Sequence, residues 1–338
     1  MAARGGPSSL TRTSFLTSAE GPATQESFPS PDPEDADAWV SRGLTLLAMG
    51  EEDRAHDNFS KAIEVNPKHI EAYGNRGNTF ELRDDLESAA EDYSKVIELS
   101  PYDHKAYSNR AIIHFKNGDY EKGADDFTKA LSFYSKDPKI FFSRGICFAK
   151  QKRADAAIED YSEAILLDPT YLDAYLSRGI SYARRGKRKE AIADFTKVLE
   201  LDPGNIQALS QRADARATLG QFDLAISDFE EAISGNPESA QLFCQRGIVM
   251  TKRKDFEQAL EDFNTALEID PNYTNAIYNR GLVSLVQDRV GDAIEDFTAA
   301  VTIDPKMARA YQGRAVAFNQ VGEKQKAKED MLMAKSLK

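Results

Sequence analysis

The stretch LDAYLSRGISYARRGKRKEAIADFTKVLELDPGN, residues 172–205, is one copy of a 34-residue unit that occurs nine times in this 338-residue chain. An arginine marks the same place in every copy: Arg42, Arg76, Arg110, Arg144, Arg178, Arg212, Arg246, Arg280 and Arg314. A fixed period of this size predicts a linear array in which each unit packs only on its neighbours. We therefore expect one long surface and not a compact enzyme domain.

The other recurring residues predict two helices in each unit. With the arginine at position 7, position 8 is always Gly or Ala, position 20 is Ala except for Gly123, and position 24 is Phe or Tyr except for Met331. Small residues let two helices approach closely, and the aromatic ring fills the space beside them. The apolar spacing is helical, and a proline near the end of most copies stops the second helix.

This pattern resembles the consensus of the tetratricopeptide repeat family, which has a small residue at 8, alanine at 20 and 27, an aromatic at 24 and proline at 32. The resemblance covers residues 36–338. It implies an all-α fold, a right-handed superhelical α-solenoid of tandem helix-turn-helix repeats. The expected repeats are 36–69, 70–103, 104–137, 138–171, 172–205, 206–239, 240–273, 274–307 and 308–338. Ser135 replaces the expected proline in the third copy, and Pro138 opens the fourth.

Position 23 matches the arginine at position 7. It is Asn58 in the first copy and aspartate in the others: Asp92, Asp126, Asp160, Asp194, Asp228, Asp262, Asp296 and Asp330. Opposite charges on facing helices predict a ladder of partly buried ion pairs along the array. We interpret this ladder as scaffolding, because breaking such a pair typically costs about 3–5 kcal/mol.

The two ends differ from the array. Residues 1–35 are rich in Pro, Gly and Ser without a period, which predicts a disordered tail. Residues 1–19 carry Arg4 and Arg12 and no acid, as organelle transit peptides do, but the Gly5-Gly6-Pro7 cluster argues against the amphipathic helix of such peptides. At the other end, lysines make the last helix basic, which suits a polar cap on the array.

Composition limits the partners. The net charge of −12 and the pI near 5.0 disfavour binding to a nucleic-acid backbone. No apolar run is long enough for a membrane-spanning helix, so no membrane partner is predicted. Only Cys147 and Cys244 are present, so neither a disulfide framework nor a zinc site is expected. We expect a cytoplasmic protein, with the nucleus as an alternative.

In the resembled family, the first helices of the repeats line a concave groove. Position 6 there is a polar, uncharged row: Asn75, Asn109, Ser143, Ser177, Gln211, Gln245 and Asn279. Aliphatic residues at position 9, which include Ile112, Ile146 and Ile180, are expected to lie exposed beside it. Amide and hydroxyl groups both donate and accept hydrogen bonds, so they bind a peptide backbone regardless of its sequence. These residues are predicted to hold an extended peptide, with helix–helix packing as the alternative.

Basic residues gather near the turn inside several repeats and form a predicted basic rim: Lys116, Lys150, Lys152, Arg153, Arg184, Arg185, Arg188 and Lys252. On an acidic chain such a rim would steer an acidic peptide. The alternative is a set of solvated, charge-rich turns.

Co-chaperones of this family hold the C-terminal carboxylate of heat-shock proteins with five residues. Repeats two to four supply Asn78, Asn109 and Lys139, but Gly74 and Ser143 stand at the other two cationic positions. Because most of the positive charge is missing, a co-chaperone role is only a minor alternative.

Catalysis finds little support in the sequence. The four histidines are scattered without metal spacing, and neither a phosphate loop nor a nucleophile elbow occurs. We expect no cofactor, no metal and no enzymatic activity. Two hypotheses remain: an adaptor that holds a partner's extended segment, and a structural subunit of a larger assembly or an accessory to an enzyme on another chain. The sequence does not indicate the oligomeric state.

Overall fold

The computed structural model of the protein describes residues 32–337, which form eighteen α-helices and no strand. The helices are α1 (Ala36–Ala48), α2 (Glu52–Val65), α3 (Ile70–Leu82), α4 (Leu86–Leu99), α5 (His104–Lys116), α6 (Tyr120–Phe133), α7 (Pro138–Lys150), α8 (Ala154–Leu167), α9 (Leu172–Arg184), α10 (Arg188–Leu201), α11 (Ile206–Thr218), α12 (Phe222–Gly235), α13 (Ala240–Arg253), α14 (Phe256–Ile269), α15 (Thr274–Val286), α16 (Val290–Ile303), α17 (Ala308–Gln320) and α18 (Lys324–Ser336). The predicted all-α fold of tandem helix pairs is confirmed.

The chain divides into two compact units, one ending at Ser181 and one beginning at Tyr182, so the division falls inside α9. In the first unit, α1 to α8 pack in chain order, each helix against the one before and the one after it. The helices α10 to α18 of the second unit pack in the same way. Contacts therefore join neighbours in the sequence, which is why the repeat is so visible in the sequence.

The close approach predicted at position 8 occurs inside each helix pair. A Cβ atom added to Gly145 would lie 2.7 Å from the ring of Tyr161, which is itself buried. In the α7–α8 pair only a residue without a side chain leaves room for the ring of Tyr161, whereas other pairs accommodate alanine at this position, as at Ala111 in the third repeat. The ring and the glycine therefore determine how closely α7 and α8 pack.

The connection between the third and fourth repeats keeps the length found at the other junctions although the usual proline is missing. Helix α6 ends at Phe133, and residues 134–137 are not helical. The Asp137 side chain then accepts a hydrogen bond from the backbone N–H of Lys139, and Pro138 is the first residue of α7. Proline suits this position because its φ is already helical and its missing N–H has no helical partner there.

The predicted ion-pair ladder is present, and the following pairs form bidentate hydrogen bonds. The pairs are Arg76–Asp92, Arg110–Asp126, Arg144–Asp160, Arg212–Asp228, Arg246–Asp262, Arg280–Asp296 and Arg314–Asp330. Burial raises the pKa of the Asp92 carboxyl and the Arg76 guanidinium opposes that rise, while the hydrogen bond to Asp92 raises the pKa of Arg76. These pairs join the two helices of each repeat.

Position 11, usually apolar, lies beside this ladder. Arg216 stands there in the sixth repeat and donates a 2.7 Å hydrogen bond from Nη1 to Asp228, so two arginines share one carboxylate. In the third repeat, His114 Nε2 lies 3.7 Å from an oxygen of Asp126. The polar residues that depart from the family pattern at these two positions therefore face the aspartate at position 23.

The end segments meet the predictions only in part. The predicted tail, residues 1–35, and the predicted transit peptide within it lie outside the described residues as far as residue 31. Asp35, at the end of the predicted tail, caps α1 by accepting a hydrogen bond from the backbone N–H of Ala38. Helix α18 exposes lysines, but Leu332 and Met333 are exposed as well, so its surface is not wholly polar. Within residues 32–337, no helix has the length and apolar character required to cross a membrane.

Candidate functional site

In the first unit, most of the predicted polar row lies beneath the surface. Asn75, Asn109 and Ser143 are buried, with exposed fractions of 0%, 1% and 3%. Asn75 donates from Nδ2 to the carbonyl of Glu71, at 2.9 Å, while its Oδ1 has no partner among the described residues. A peptide would reach these side chains only after neighbouring residues moved.

The expectation of exposed aliphatic residues beside this row is wrong for two of the three isoleucines. Ile112 and Ile146 are buried, and only Ile180 is partly exposed. Ile112 belongs to a hydrophobic cluster with Ile140 and Cys147 of the following repeat. The reason is that a position 9 side chain packs into the cluster that joins two repeats.

The remaining residues of the predicted polar row are more accessible to solvent. Ser177, at the end of the first unit, and Gln211, Gln245 and Asn279 of the second unit are all partly exposed. Gln245 donates from Nε2 to Asp214 Oδ2, at 3.1 Å, and its Oε1 has no partner among the described residues. Asn279 donates from Nδ2 to the carbonyl of Asn275, at 2.7 Å. Hydrogen-bonding capacity is therefore available on the first helices of the second unit.

Asp214 is part of this face, although the sequence analysis did not select it. It stands at position 9 of the sixth repeat, where an aliphatic residue is usual, and it is exposed to solvent along one side. Enclosure by surrounding groups raises the pKa of its carboxyl, and Lys252 and the Gln245 amide oppose that rise. The departure from the aliphatic pattern was the signal that could have identified it.

Arg309 is a second residue that the sequence analysis did not select. Its Nη2 donates a hydrogen bond to Asn275 Oδ1, and its guanidinium lies 4.7 Å from the centre of the Tyr278 ring. Arg309 and Asn275 also line an open cavity of about 610 Å³. An aromatic face stabilises a cation held over it, so Arg309 is held in place beside the row with room for an anionic group.

The predicted basic rim is divided between the two units. In the first unit, Lys116 forms an ion pair of 2.8 Å with Glu81, and the guanidinium of Arg153 lies 4.4 Å from the Phe148 ring centre. Lys150 and Lys152 are exposed there. In the second unit, Arg188 donates to the carbonyl of Ala183, while Arg184, Arg185 and Lys252 are exposed. Several of these cations therefore have partners within the protein.

Neither cysteine offers a reactive thiol at neutral pH. Burial raises the pKa of the Cys147 and Cys244 thiols to about 12, so both remain protonated at neutral pH. Across residues 32–337, no group of His, Cys, Asp and Glu side chains is arranged to hold a metal ion.

Comparison with known proteins shows that the chain matches the models of one protein family. Models described as tetratricopeptide repeat match residues 40–104, 104–137, 138–171, 172–205, 206–239 and 240–273. No curated protein sequence matches the chain.

Several solved structures are similar in fold. The C-terminal part of a TPR repeat-containing protein from Cytophaga hutchinsonii has a TM-score of 0.60 at 17% identity, with 71% of this chain and 98% of that chain covered. A tetratricopeptide repeat protein from Parabacteroides merdae has a TM-score of 0.56 at 21% identity, with 74% and 98% covered. A chain of the APC/C hetero-tetramer Cut9–Hcn1 has a TM-score of 0.53 at 18% identity, with 89% and 60% covered. At these identities the similarity shows the fold alone.

Proposed function

Because the chain belongs to the tetratricopeptide repeat family, we propose that it is a non-catalytic adaptor that holds an extended segment of a partner protein. The proposed site is the first-helix face of the second unit, defined by Gln211, Gln245 and Asn279 with Asp214 and Arg309. Repeat arrays present extended surfaces of this kind to their partners. The first unit is a weaker candidate because its row is buried.

The observation that carries the proposal is the state of Gln245. Asp214 accepts a hydrogen bond from Gln245 Nε2 and so orients the amide. The Oε1 of Gln245 is a buried acceptor without a partner among the described residues. Leaving a buried acceptor without a hydrogen bond costs about 1–3 kcal/mol of folding free energy. A backbone N–H of a bound peptide would recover that cost after a small rotation of the amide.

The residues around the row indicate which peptide would fit. Ile248 and Leu282 are partly exposed at position 9, and Val316 is exposed there in the last repeat. These side chains offer apolar contacts, while the guanidinium of Arg309 offers a partner for a carboxylate. The arrangement favours an extended segment with apolar residues and an acidic residue near Arg309.

Selection of peptides on the full chain tests this proposal. A phage-displayed random peptide library would be selected on the natural protein, and the strongest peptide would be synthesised with a fluorescent label. Its dissociation constant would then be measured by anisotropy for the natural chain and for the triple variant Gln211→Ala, Gln245→Ala, Asn279→Ala. We expect binding to weaken by at least about tenfold, since each lost hydrogen bond contributes about 1 kcal/mol.

The matched control is Gln258→Ala, an exposed amide on α14 outside the row, which should leave the dissociation constant unchanged. Equal binding by the triple variant and the natural chain would move the site away from the row. Asn75 and Asn109 are left intact, because alanine at buried positions would disturb the packing of the first unit.

A structural subunit of an assembly is the second candidate, and the exposed apolar side chains near the C-terminus favour it. Val321, Leu332 and Met333 are exposed at or beside α18. Exposed apolar side chains of this kind suit a permanent neighbour. If no peptide is enriched by the natural chain, and the protein precipitates unless it is co-expressed with a partner, the assembly role replaces the adaptor role.

A further inference from the structure

The ladder arginine of the first repeat lacks the carboxylate that its counterparts bind. Position 23 is Asn58 in place of aspartate, and Arg42 Nε, the atom that donates to aspartate in the pairs described above, is buried without a hydrogen-bond partner. Asn58 is 8% exposed and donates from Nδ2 to the carbonyl of Arg54, at 2.6 Å, while its Oδ1 has no partner. An arginine side chain stays charged at any physiological pH. The first repeat therefore carries a guanidinium whose charge position 23 does not neutralise.

Arg42 is also open on the side that later arginines turn towards the preceding repeat. In those repeats Nη1 of the arginine donates to the side chain at position 25 of the repeat before. The acceptors are Ser94, Thr128, Ser162, Thr196, Asn264 and Thr298. All of them are neutral, which suits an arginine that already binds an aspartate. Within residues 32–337 no helix precedes α1, so no such acceptor reaches Arg42.

The face of α1 around Arg42 is uncovered in the same way. Positions 3 and 10 face the preceding repeat at later junctions, as Ile140 and Cys147 of α7 do by packing in one cluster with residues of α6. Residues at these two positions are buried in all eight later repeats, whereas Ala38 and Thr45 of α1 are partly exposed. We call Ala38, Arg42 and Thr45 the open face of α1. Because positions 3, 7 and 10 lie on one side of a helix, the open face has the form of a helix-packing surface.

The charge of Arg42 determines which helix fits the open face. A partly buried guanidinium without a counter-charge gains more from a carboxylate than from a neutral acceptor. Helix α12 shows that a carboxylate at position 25 interacts with the following arginine, because it carries Glu230 there. The hydrogen bond to Asp262 and, more weakly, the charge of Glu230 raise the pKa of Arg246 in the next repeat. An acidic residue at this place on a packing helix is therefore the complement of Arg42.

Neither a second copy stacked end to end nor the acids at the start of α1 supply this carboxylate. In α18, position 25 is Leu332, and position 28, which is aliphatic in the first eight repeats, is Lys335. Helix α18 of another copy would therefore offer Arg42 no acceptor and add a positive charge to the junction. Asp35 accepts the capping hydrogen bond of α1, and Asp37 contacts the histidine that caps α3. The complement has to come from a different protein.

We propose that the open face of α1 binds a helix of a partner protein, and that an aspartate or glutamate of that helix pairs with Arg42. The partner helix takes the place that the second helix of a preceding repeat takes at later junctions. This site lies on the first unit, so it does not depend on the peptide-binding role proposed for the second unit.

Two fluorescent peptides and the full chain test the proposal. The first peptide covers α12, Phe222–Gly235, and presents Glu230; the second carries Glu230→Ser, which gives the residue that α4 has at position 25. A side-chain cross-link between positions 227 and 231, both exposed in the chain, holds each peptide helical, because a free helix of this length is marginal in water. Dissociation constants are measured by anisotropy. We expect the natural chain to bind the acidic peptide about tenfold more tightly, since charge-assisted hydrogen bonds are the stronger ones.

The decisive variant is Asn58→Asp, which introduces the residue that the eight other repeats carry at position 23, so the fold should persist. Arg42 then has a carboxylate within its own repeat, and the preference for the acidic peptide should disappear. The matched control Lys61→Gln removes a 55% exposed cation from the same helix and should retain the preference. Equal binding of the two peptides by the natural chain overturns the proposal, as does binding of neither. A preference that survives Asn58→Asp overturns it as well, because the carboxylate would then meet a cation other than Arg42.

Discussion

The guanidinium of Arg110 donates two parallel hydrogen bonds of 2.8 Å, from Nε and Nη2, to the carboxylate of Asp126. Its remaining nitrogen, Nη1, donates a third bond of 3.1 Å to Ser94 Oγ in the preceding repeat. One side chain on α5 therefore connects α6 of its own repeat to α4 of the repeat before. The period of the arginine thus reflects contacts between repeats as well as within them.

Replacing Arg110 with lysine should destabilise the first unit. Lysine cannot form the bidentate pair, and Asp126 would be left buried with poor compensation. We expect the free energy of unfolding to fall by about 3 kcal/mol, measured by urea denaturation. The control Lys95→Ala breaks only a surface pair with Glu98 and should cause no measurable change. Equal stability of the Arg110→Lys and natural chains would contradict the structural role of the ladder.

The third hydrogen bond of the arginine can be tested separately at the last junction. Arg314 donates from Nη1 to Thr298 Oγ1 of the preceding repeat, at 3.1 Å. Thr298→Val keeps the side-chain shape and removes the acceptor, so we expect a loss of about 1 kcal/mol in the free energy of unfolding. Thr302→Val is the control, because Thr302 bonds only within its own helix, to the carbonyl of Thr298. A loss no larger than that of the control would show that the bond does not couple the repeats.

The stability of the first unit should depend on pH through His114. Burial lowers the pKa of its imidazole below 6.5; Asp126 and Asp119 oppose that effect, and Arg110 and Lys122 add to it. The unfolded chain therefore takes up its proton first as pH falls. The contribution of His114 to the free energy of unfolding is therefore present above pH 6.5, and it is lost as the pH falls through the pKa that His114 has in the folded chain.

Unfolding free energies measured by denaturant titration from neutral to mildly acidic pH should therefore decrease for the natural chain. His114→Phe, which introduces the residue found at this position in Phe80 and Phe148, should show a smaller decrease. His56, whose pKa burial also lowers, stays in both proteins and contributes equally. Parallel pH profiles for the two proteins would rule out the role given to His114.

The turn glycine of the sixth repeat gives a test of backbone strain. Gly220 has a φ of +76°, and a Cβ there would meet nothing within 4 Å. Gly220→Ala should therefore lower the free energy of unfolding by about 1–2 kcal/mol through the left-handed backbone alone. Gly204 is equally open but lacks a positive φ, so Gly204→Ala should leave stability unchanged or slightly raised. A thermal melt of both variants measures the difference, and identical melting temperatures would contradict the assignment of strain.

Much of the fold was predictable from the sequence because each repeat contacts only its neighbours. The 34-residue period, the helix pairs, the small residue beside the aromatic ring and the Arg–Asp ladder all repeat in step with those local contacts. Departures at single positions, such as Arg216 beside Asp228, were visible in the sequence as exceptions but acquired a physical meaning only from the structure.

The period and the residue pattern predicted an array of helical pairs, and the family resemblance indicated which positions lie on the first-helix face. Which residues of that face reach solvent became clear from the structure alone: Asn75 is buried, whereas Gln245 at the equivalent position is partly exposed with an unpaired oxygen. The same holds for Tyr102 of the second repeat and Phe133 of the third, whose ring centres lie 5.4 Å apart. The physical reason is that the period records a residue's place in its own helix, while its accessibility depends on the side chains that adjacent repeats pack against it.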